Sequence, residues 1–539
     1  MGTGRFRRYR AGVPSRVLRG EQMLGAAAAV VGLVGVASAL TPEFANRYDV
    51  VRGVLPPGVP GAARILALSF GLGLVWLSRA LARRRRRAWQ LAVVLVAGIS
   101  LAHVAKGLDV EEATLGLILL VALVRFRKRF DVPGDPGSVR PLLSTTAAVA
   151  ALAALAAALE IRGFEHDRWQ DALVGLTVVL SARALYLWLR PVSDRIRQSA
   201  EERRVVGQLV RSHGEDSLAF FSLRRDKNYF FSATRDSFLA YKVVAGVALV
   251  SGGPIGAQEE FHELLAEFRR VCHARGWRLA LLGVHADLLP VARAIGLRAI
   301  KLGDEAVVRP AAFSLEGRAV RKVRQSVARL ERAGYSFETV SAADVDAELR
   351  AELERVSDVW RGANAERGFS MAMDDPFREP ETVFAVARQG GKVGGFLHLV
   401  PSAQGYSLGA MRRDPATPNG LMEYLIVETL AWARHTGADE LSLNFCVFTD
   451  LLADPEGRLQ NVARDVLRTC DRVFQLERLI HFSRKFSPEW RPRYVCVERL
   501  TDVPLVAVAY LWVESLLTPP GPWARSSRTM QAAAGRSGR

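Results

Sequence analysis

The chain has 539 residues, with 73 Lys+Arg against 55 Asp+Glu and a formal net charge of +18. That length exceeds one ordinary domain and allows two or three. The basic balance favours anionic partners, phospholipid or nucleic acid. The four cysteines, Cys272, Cys446, Cys470 and Cys496, show no CxxC or metal-ligand spacing, and the nine histidines form no HxxxH or HExxH. These counts argue against a disulfide framework or a zinc centre and for a reducing, cytosolic setting of the second half.

Six apolar windows open the chain, at 23–40, 62–81, 89–105, 113–126, 142–159 and 172–189. A spanning helix needs about 20 apolar residues, with about 17 as the floor; the fourth window is shorter and follows Glu111 and Glu112. Arginines cluster in alternate connections: in the N-terminal tail, at 83–87, at Arg125, Arg127, Arg129 and Arg140, and at Arg190, Arg195 and Arg197. The intervening connections carry acids instead, among them Glu43, Asp49, Asp109, Glu165 and Asp167. This alternation predicts a six-span membrane region over 1–192, multi-pass in the cell membrane with both termini cytoplasmic.

The second half reads as α/β. A charged helix is predicted over 193–212, then β-rich runs at 230–232 and 238–250, a helix at 259–275, the buried strand "RLALLGV", a short helix in "LLPVARAIGL" and the strand-like "RAIKLGDEAVVR". These form a first lobe, 193–312. A basic connecting helix at 313–334 carries Arg318, Arg321, Lys322, Arg324, Arg329 and Arg332. A second lobe, 335–516, repeats the order: a helix at 345–361, the strands "TVFAVARQ", "KVGGFLHLVPSA" and "GYSLGAMRRD", a helix at 420–435 and the strand "ELSLNFCVF". The tail 517–539 reads as disordered. The expected fold is thus an α-helical membrane bundle followed by two similar α/β lobes.

Several of these segments resemble the bacterial lysylphosphatidylglycerol synthase (phosphatidylglycerol lysyltransferase) family over roughly residues 205–515. "KLGDEAVV" at 301–308 is similar to the segment closing that family's first lobe, and "RGFSMAM" at 367–373 to its Gly-Phe-Ser segment. "PNGLMEYLIVETLAWARHTGADELSLNF" at 418–445 looks like the actinobacterial branch, and "SRKFSPEWRPRYV" at 483–495 resembles the Lys-Phe-x-Pro-x-Trp-x-x-Arg-Tyr closing motif. The resemblance implies tandem acyl-CoA N-acyltransferase-like (GNAT-like) lobes. It implies transfer of an aminoacyl group, lysyl first, from aminoacyl-tRNA to the glycerol headgroup of phosphatidylglycerol at an anionic membrane. Larger family members add spans that form a flippase, and some actinobacterial members add a lysyl-tRNA synthetase; neither is expected within these residues.

Exchanging one ester for another needs no ATP, no cofactor and no metal. It needs a positioned hydroxyl, a proton acceptor, and donors for the developing oxyanion. Arg412 and Arg413 follow a strand, Asn419 and Glu423 lie one turn apart at a helix start, and Asn444 lies in the strand after it; these five are expected to converge on one cleft. Glu423 would bind the substrate amine or act as base, against the plainer reading in which Asn419 caps the helix and Glu423 complements its dipole. Lys485 and Arg493 flank Trp490, a pattern suited to phosphate or a tRNA end, or to a loop anchored by its tryptophan. Asp304 and Glu305 either bind a cationic aminoacyl group or pair with the basic helix, the second being favoured. Asp375, beside Asp374, can recognise an amine or simply be solvated. His398, in an apolar strand, reads as a core histidine. The competing functions are a membrane-anchored acyl-CoA N-acyltransferase and a non-enzymatic lipid-binding or transport protein. The glycine-rich "RQGGKVGG" at 388–395 lies between two strands as a hairpin, which argues against a CoA loop.

Overall fold

The computed structural model describes residues 17–41, 59–107, 109–135, 138–161, 167–190, 192–362, 368–447 and 476–515. The expected C-terminal tail lies outside them. Contacts divide the chain into one unit at 1–193 with 273–277, and a second at 194–272 with 278–539.

In the first unit all six apolar windows are helical: α1 (Val17–Leu40), α2 (Val59–Leu81), α3 (Arg86–Gly107), α4 (Val110–Arg125), α5 (Val139–Ile161) and α6 (Asp167–Leu189). Among the described residues, α1, α2 and α3 are each long and apolar enough to cross a bilayer, while α4 has 16 residues. Helices α1 to α4 share a core that includes Ala28, Leu74, Ala92, Val96 and Leu123. Glycines set the approach of α1 to α2. A Cβ on Gly32 would meet the Gly71 carbonyl oxygen at 2.6 Å, and one on Gly71 would meet that of Gly32 at 2.7 Å. With little hydrophobic drive between helices in lipid, such backbone contact is what holds a pair together.

In the second unit, α7 (Ala200–His213) starts later than the sequence predicts, because Ser199 and Glu202 form a capping box there. The strands follow as β1 (Asn228–Phe231), β2 (Ser237–Val244), β3 (Val247–Ser251) and the short β4 (Ile255–Gly256), then α8 (Phe261–Arg275), β5 (Arg278–Val284), α9 (Leu289–Ala294) and β6 (Arg298–Val308). The run expected as one strand over 238–250 is a hairpin, turned at Ala245 (φ 51°) and Gly246 (φ 77°). The basic helix α10 spans only Arg321–Arg332. It buries Val323, Val327 and Leu330, while Arg321, Lys322, Arg324, Arg329 and Arg332 stay exposed. Then come β7 (Tyr335–Ser341), α11 (Ala347–Arg361), β8 (Val383–Gln389), β9 (Lys392–Ser402), β10 (Gly405–Arg413), α12 (Leu421–His435), β11 (Glu440–Val447), α13 (Leu476–Arg484), β12 (Glu489–Val497) and α14 (Val503–Val513). Strands β8 and β9 are joined through Gly390 (φ 56°) and Gly391 (φ 82°), the hairpin expected at 388–395.

All these strands belong to one twelve-stranded sheet, ordered β1-β2-β3-β5-β12-β6-β11-β10-β9-β8-β7, with β4 beside β2. One feature recurs in both halves of the sheet: β3 runs parallel to β5 and β10 parallel to β11, each pair bridged by a helix. The boundary between the expected lobes is not a break in the sheet, however. Strand β12, from the end of the chain, lies between β5 and β6, and β11 pairs with β6. On one face, α10 and α12 cover Ala306, Leu397, Leu441 and Leu443. A separate core gathers Phe221, Phe238, Leu282, Phe369 and Phe445, and another packs Leu353 and Val356 of α11 on Phe384 and Phe396.

Candidate active site

Strands β10 and β11 pair only at their starts, Gly405–Ser407 with Glu440–Ser442. Beyond that, β10 stays with β9 as far as Arg413, and β11 stays with β6 as far as Val447, so the sheet splits. Asn444 spans the base of the split. Its Nδ2 donates to the Leu408 carbonyl at 2.9 Å and to that of Met371 at 3.4 Å. Its φ of 69° and the register shift between Ser442 and Phe445 mark a bulge in a left-handed conformation that asparagine tolerates better than most residues.

Helix α12 rises beside this split. Its N-cap is Gly420 (φ 99°), not Asn419 as the sequence suggests; a Cβ at Gly420 would meet Ser326 of α10 at 2.7 Å. Asn419 is exposed, and its carbonyl accepts from the Arg329 guanidinium at 2.5 Å, which ties the cationic α10 to the head of α12. Glu423 occupies the first turn. Its Oε1 accepts from Lys485 Nζ at 2.7 Å, with the two side chains 16% and 38% exposed. The other oxygen, Oε2, makes no hydrogen bond among the described residues. Lys485 also lies 5.3 Å from the Phe482 ring, and Trp490 packs against the same core as α12, so the tryptophan is an anchor.

The five residues expected in one cleft do not all meet. Arg413 stands opposite Gly395, which lies under Leu421 and Met422 of α12, and its guanidinium reaches the Thr417 carbonyl at 3.4 Å. Arg412, the next residue, points to the other face. There it lies 4.2 Å from the Trp360 ring of α11.

Arg493 also departs from the sequence reading. It is fully buried rather than presented to phosphate. Its guanidinium donates to Glu305 Oε2 (2.9 and 2.5 Å), Asp216 Oδ2 (2.7 Å), Ser217 Oγ (2.8 Å) and the Gly283 carbonyl (2.9 Å). Glu305, itself buried, accepts through Oε1 from Ser217 and Ser442, each at 2.5 Å. Burial alone would lower the arginine's pKa, but Asp216 and Glu305 outweigh it and raise it. Burial likewise works against Asp216, and Arg493 overrides it to hold that carboxyl below the usual range. Among the described residues Glu305 pairs with Arg493, and Asp304 with Lys301 (3.0 Å), rather than with the basic helix. Asp375 and Asp374 both engage Arg378, at 3.5 and 2.9 Å. His398 is buried against Phe384, and burial lowers its pKa to about 4, as suits a core histidine.

Sequence reasoning missed Asp216, Ser217 and Ser442, and also Lys227. That lysine is completely buried, donating to the Phe221 carbonyl and Ser251 Oγ at 2.8 Å each, with its ammonium 4.7 Å from the Phe369 ring. No local pattern marks any of these.

The α/β domain thus sets a carboxylate–ammonium pair at a helix head beside a cationic helix. The profile described as "Phosphatidylglycerol lysyltransferase, C-terminal" matches residues 207–497, and the chain belongs to that family. Among curated relatives, the lysylphosphatidylglycerol biosynthesis bifunctional protein LysX of Rhodococcus jostii is 30% identical over 84% of this chain and 45% of its own length. The protein of the same name from Mycolicibacterium vanbaalenii is 32% identical over 83% of this chain and 45% of its own. The chain thus spans about half the length of the curated relatives it matches. Among solved structures, a C-terminal domain assigned to a lysylphosphatidylglycerol synthetase of Agrobacterium fabrum aligns at TM-score 0.52 and 26% identity, covering 59% of this chain and 98% of that one. The L-PGS structure from Bacillus licheniformis aligns at TM-score 0.54 and 20% identity, over 61% and 99%, and shares the fold.

Proposed function

We propose that this chain is a membrane-bound aminoacyltransferase that moves an aminoacyl group, lysyl first, from aminoacyl-tRNA to a glycerol hydroxyl of phosphatidylglycerol. The observation that carries this reading is the Glu423–Lys485 pair at the head of α12, clamped to a cationic helix, in a chain of this family. In this reading Glu423 Oε2 takes the proton of the attacking hydroxyl, and the new C–O bond forms as the bond to the tRNA ribose oxygen breaks. Lys485 offsets the oxyanion charge, and the leaving ribose oxygen takes the proton back from Glu423, which is regenerated as a carboxylate. The exposed cations of α10 would line up tRNA phosphates. The product carries added positive charge, so the membrane becomes less anionic. Tandem GNAT-like lobes and six spans with both termini cytoplasmic belong to the same reading.

The test is expression in a bacterium that makes no aminoacyl lipids, followed by mass spectrometry of the lipid extract beside a Glu423→Ala control. A phosphatidylglycerol species heavier by one aminoacyl residue, absent in the control, is the expected outcome and names the amino acid. An unchanged lipid profile from well-expressed protein would refute the reading.

A further inference from the structure

The second unit contains a polar cavity of about 280 Å³, away from the Glu423–Lys485 pair in the fold, lined by Arg203, Arg204, Arg211, Arg225, Arg378 and Glu379. Five guanidiniums thus face one carboxylate. Two of the five are compensated: Arg211 by Glu381 (2.6 Å) and Glu379 (3.5 Å), and Arg378 by Asp374 (2.9 Å) and Asp375 (3.5 Å). Arg203 gives its guanidinium to the neutral Gln198 carbonyl at 2.8 Å. The side chains of Arg204 and Arg225, both exposed, pair with no carboxylate among the described residues. Arg203, Arg204 and Arg225 thus carry no ion pair of their own among the described residues, and Glu379, which attracts Arg225 as well as Arg211 and Arg378, is the carboxylate in the lining. Convergent guanidiniums of this kind match the oxygens of a phosphate.

Helix α7 forms one wall. Gly207 sits inside α7, where a glycine costs about 1 kcal/mol against alanine. A Cβ there would stand 2.7 Å from a guanidinium nitrogen of Arg211, which lies across that turn.

We infer that this cavity is a second anion site, which seats the phosphodiester of an anionic phospholipid headgroup. Its size is that of a pocket for a small polar group, whereas single-stranded RNA is held along extended grooves with aromatic platforms. The aromatic residue here is Tyr229, whose hydroxyl is already committed to the Ser222 carbonyl at 3.0 Å, and Leu223 supplies an apolar edge. In chain order, α7 is the first helix after the apolar helices. One chain segment touches lining residues of the cavity and Asn444 at the split. Asp374 accepts from the Arg225 amide at 3.4 Å and from Arg378, and three residues earlier the Met371 carbonyl accepts from Asn444. The choice of a lipid as occupant rests on the transferase reading; the cavity and its charge do not.

The experiment is equilibrium binding to the full-length chain in neutral detergent, with no tRNA and no turnover. The probes are dihexanoyl phosphatidylglycerol below its micelle concentration, dihexanoyl phosphatidylcholine, glycerol 3-phosphate and a single-stranded RNA nonamer. Saturable binding of the phosphatidylglycerol and of glycerol 3-phosphate is expected, with a loss of tenfold or more in the Arg204→Ala/Arg225→Ala double variant at an unchanged melting temperature. Unchanged lipid affinity in that variant overturns the assignment, as does equal binding of the choline lipid, or a loss of RNA binding alone. Because binding is read without transfer, a protein that binds the lipid here but makes no aminoacyl lipid would defeat the functional reading and leave this one standing. An active enzyme whose lipid affinity ignores the double variant would do the reverse.

Discussion

Two cation–carboxylate pairs arise from the same thirteen-residue stretch, "SRKFSPEWRPRYV", and they obey opposite physics. Lys485 reaches Glu423 at the rim of α12, partly in water, with one carboxylate oxygen left over. Arg493, fully buried, reaches the buried Glu305 and the partly exposed Asp216, and all three of its guanidinium nitrogens donate. In water an ion pair is worth little and its members stay chemically available. In the core the pair must be complete, because desolvating either charge alone costs several kcal/mol. The first arrangement suits proton transfer. The second fixes β12 between β5 and β6, and with it the strand that closes the sheet.

The sharpest way to break this contrast is Arg493→Ala. It strands Glu305 as a buried charge and leaves the partly exposed Asp216 without its partner, and the expected loss is about 3–5 kcal/mol of stability, read as a lowered melting temperature or a failure to accumulate folded protein. Arg493→Lys should recover only part of it, since an ammonium offers fewer donors than the five of a guanidinium. Wild-type stability in the alanine variant would show that the cluster does not hold the sheet.

Glu423→Gln and Lys485→Ala should behave the other way. Each is expected to cut turnover by about 10²–10⁴-fold, the usual worth of a positioned proton acceptor. Their melting temperatures should move little, because a pair still partly in water contributes about 1 kcal/mol. Aminoacyl-lipid formation and thermal unfolding measured on the same preparations separate the two. A drop in stability as large as that of Arg493→Ala would make Glu423 a structural residue.

Local pattern singled out Glu423 and Lys485 separately, without pairing them, and left the core cluster hidden. The helix at 420–435, the strand after it, the Gly390–Gly391 hairpin and the amphipathic cationic helix all follow from periodicity and turn residues within a few positions of one another. Glu423 could be singled out because its helix head is local. The partners of Arg493 lie 277 and 276 residues upstream at Asp216 and Ser217, and nothing near Arg493 in the chain distinguishes a buried arginine from a phosphate-binding one. The two arginines after "GYSLGAM" were expected to act together, yet strand pleating sends neighbours to opposite faces. Asn419 looked like the cap, but the Asn-Gly pair is a turn signal, and Gly420 takes the position with a positive φ.

Lys227 sharpens the contrast further, since it is a buried cation with no carboxylate within salt-bridge distance among the described residues. Burial, with Arg224 adding to it and Asp226 opposing, lowers its pKa to about 7 from an unfolded value near 10.5. Between those values the unfolded chain binds one more proton than the folded one, so stability should rise as pH increases from about 7 toward 10, by at most about 1.4 kcal/mol per pH unit. Chemical unfolding at pH 6.5, 8 and 9.5 should show that rise in the wild type and a flatter profile in Lys227→Met. Identical slopes in the two proteins would show that Lys227 stays charged in the fold, stabilised by Phe369 and its two oxygen partners.

The smallest expected effect tests what keeps the sheet split beside Glu423. Asn444 combines a left-handed backbone with two side-chain bonds across the gap, and the two contributions can be separated. Asn444→Gly keeps the backbone conformation at no steric cost and loses the bonds to Leu408 and Met371 and the Oδ1 acceptor of the Phe445 amide, so about 1 kcal/mol should be lost. Asn444→Ala loses the same bonds and adds strain at a positive φ, so it should cost about 1 kcal/mol more than the glycine variant. If the gap positions the substrate as well as the strand, both variants should lose turnover equally while differing in stability. Turnover that tracks stability would instead confine Asn444 to holding the bulge.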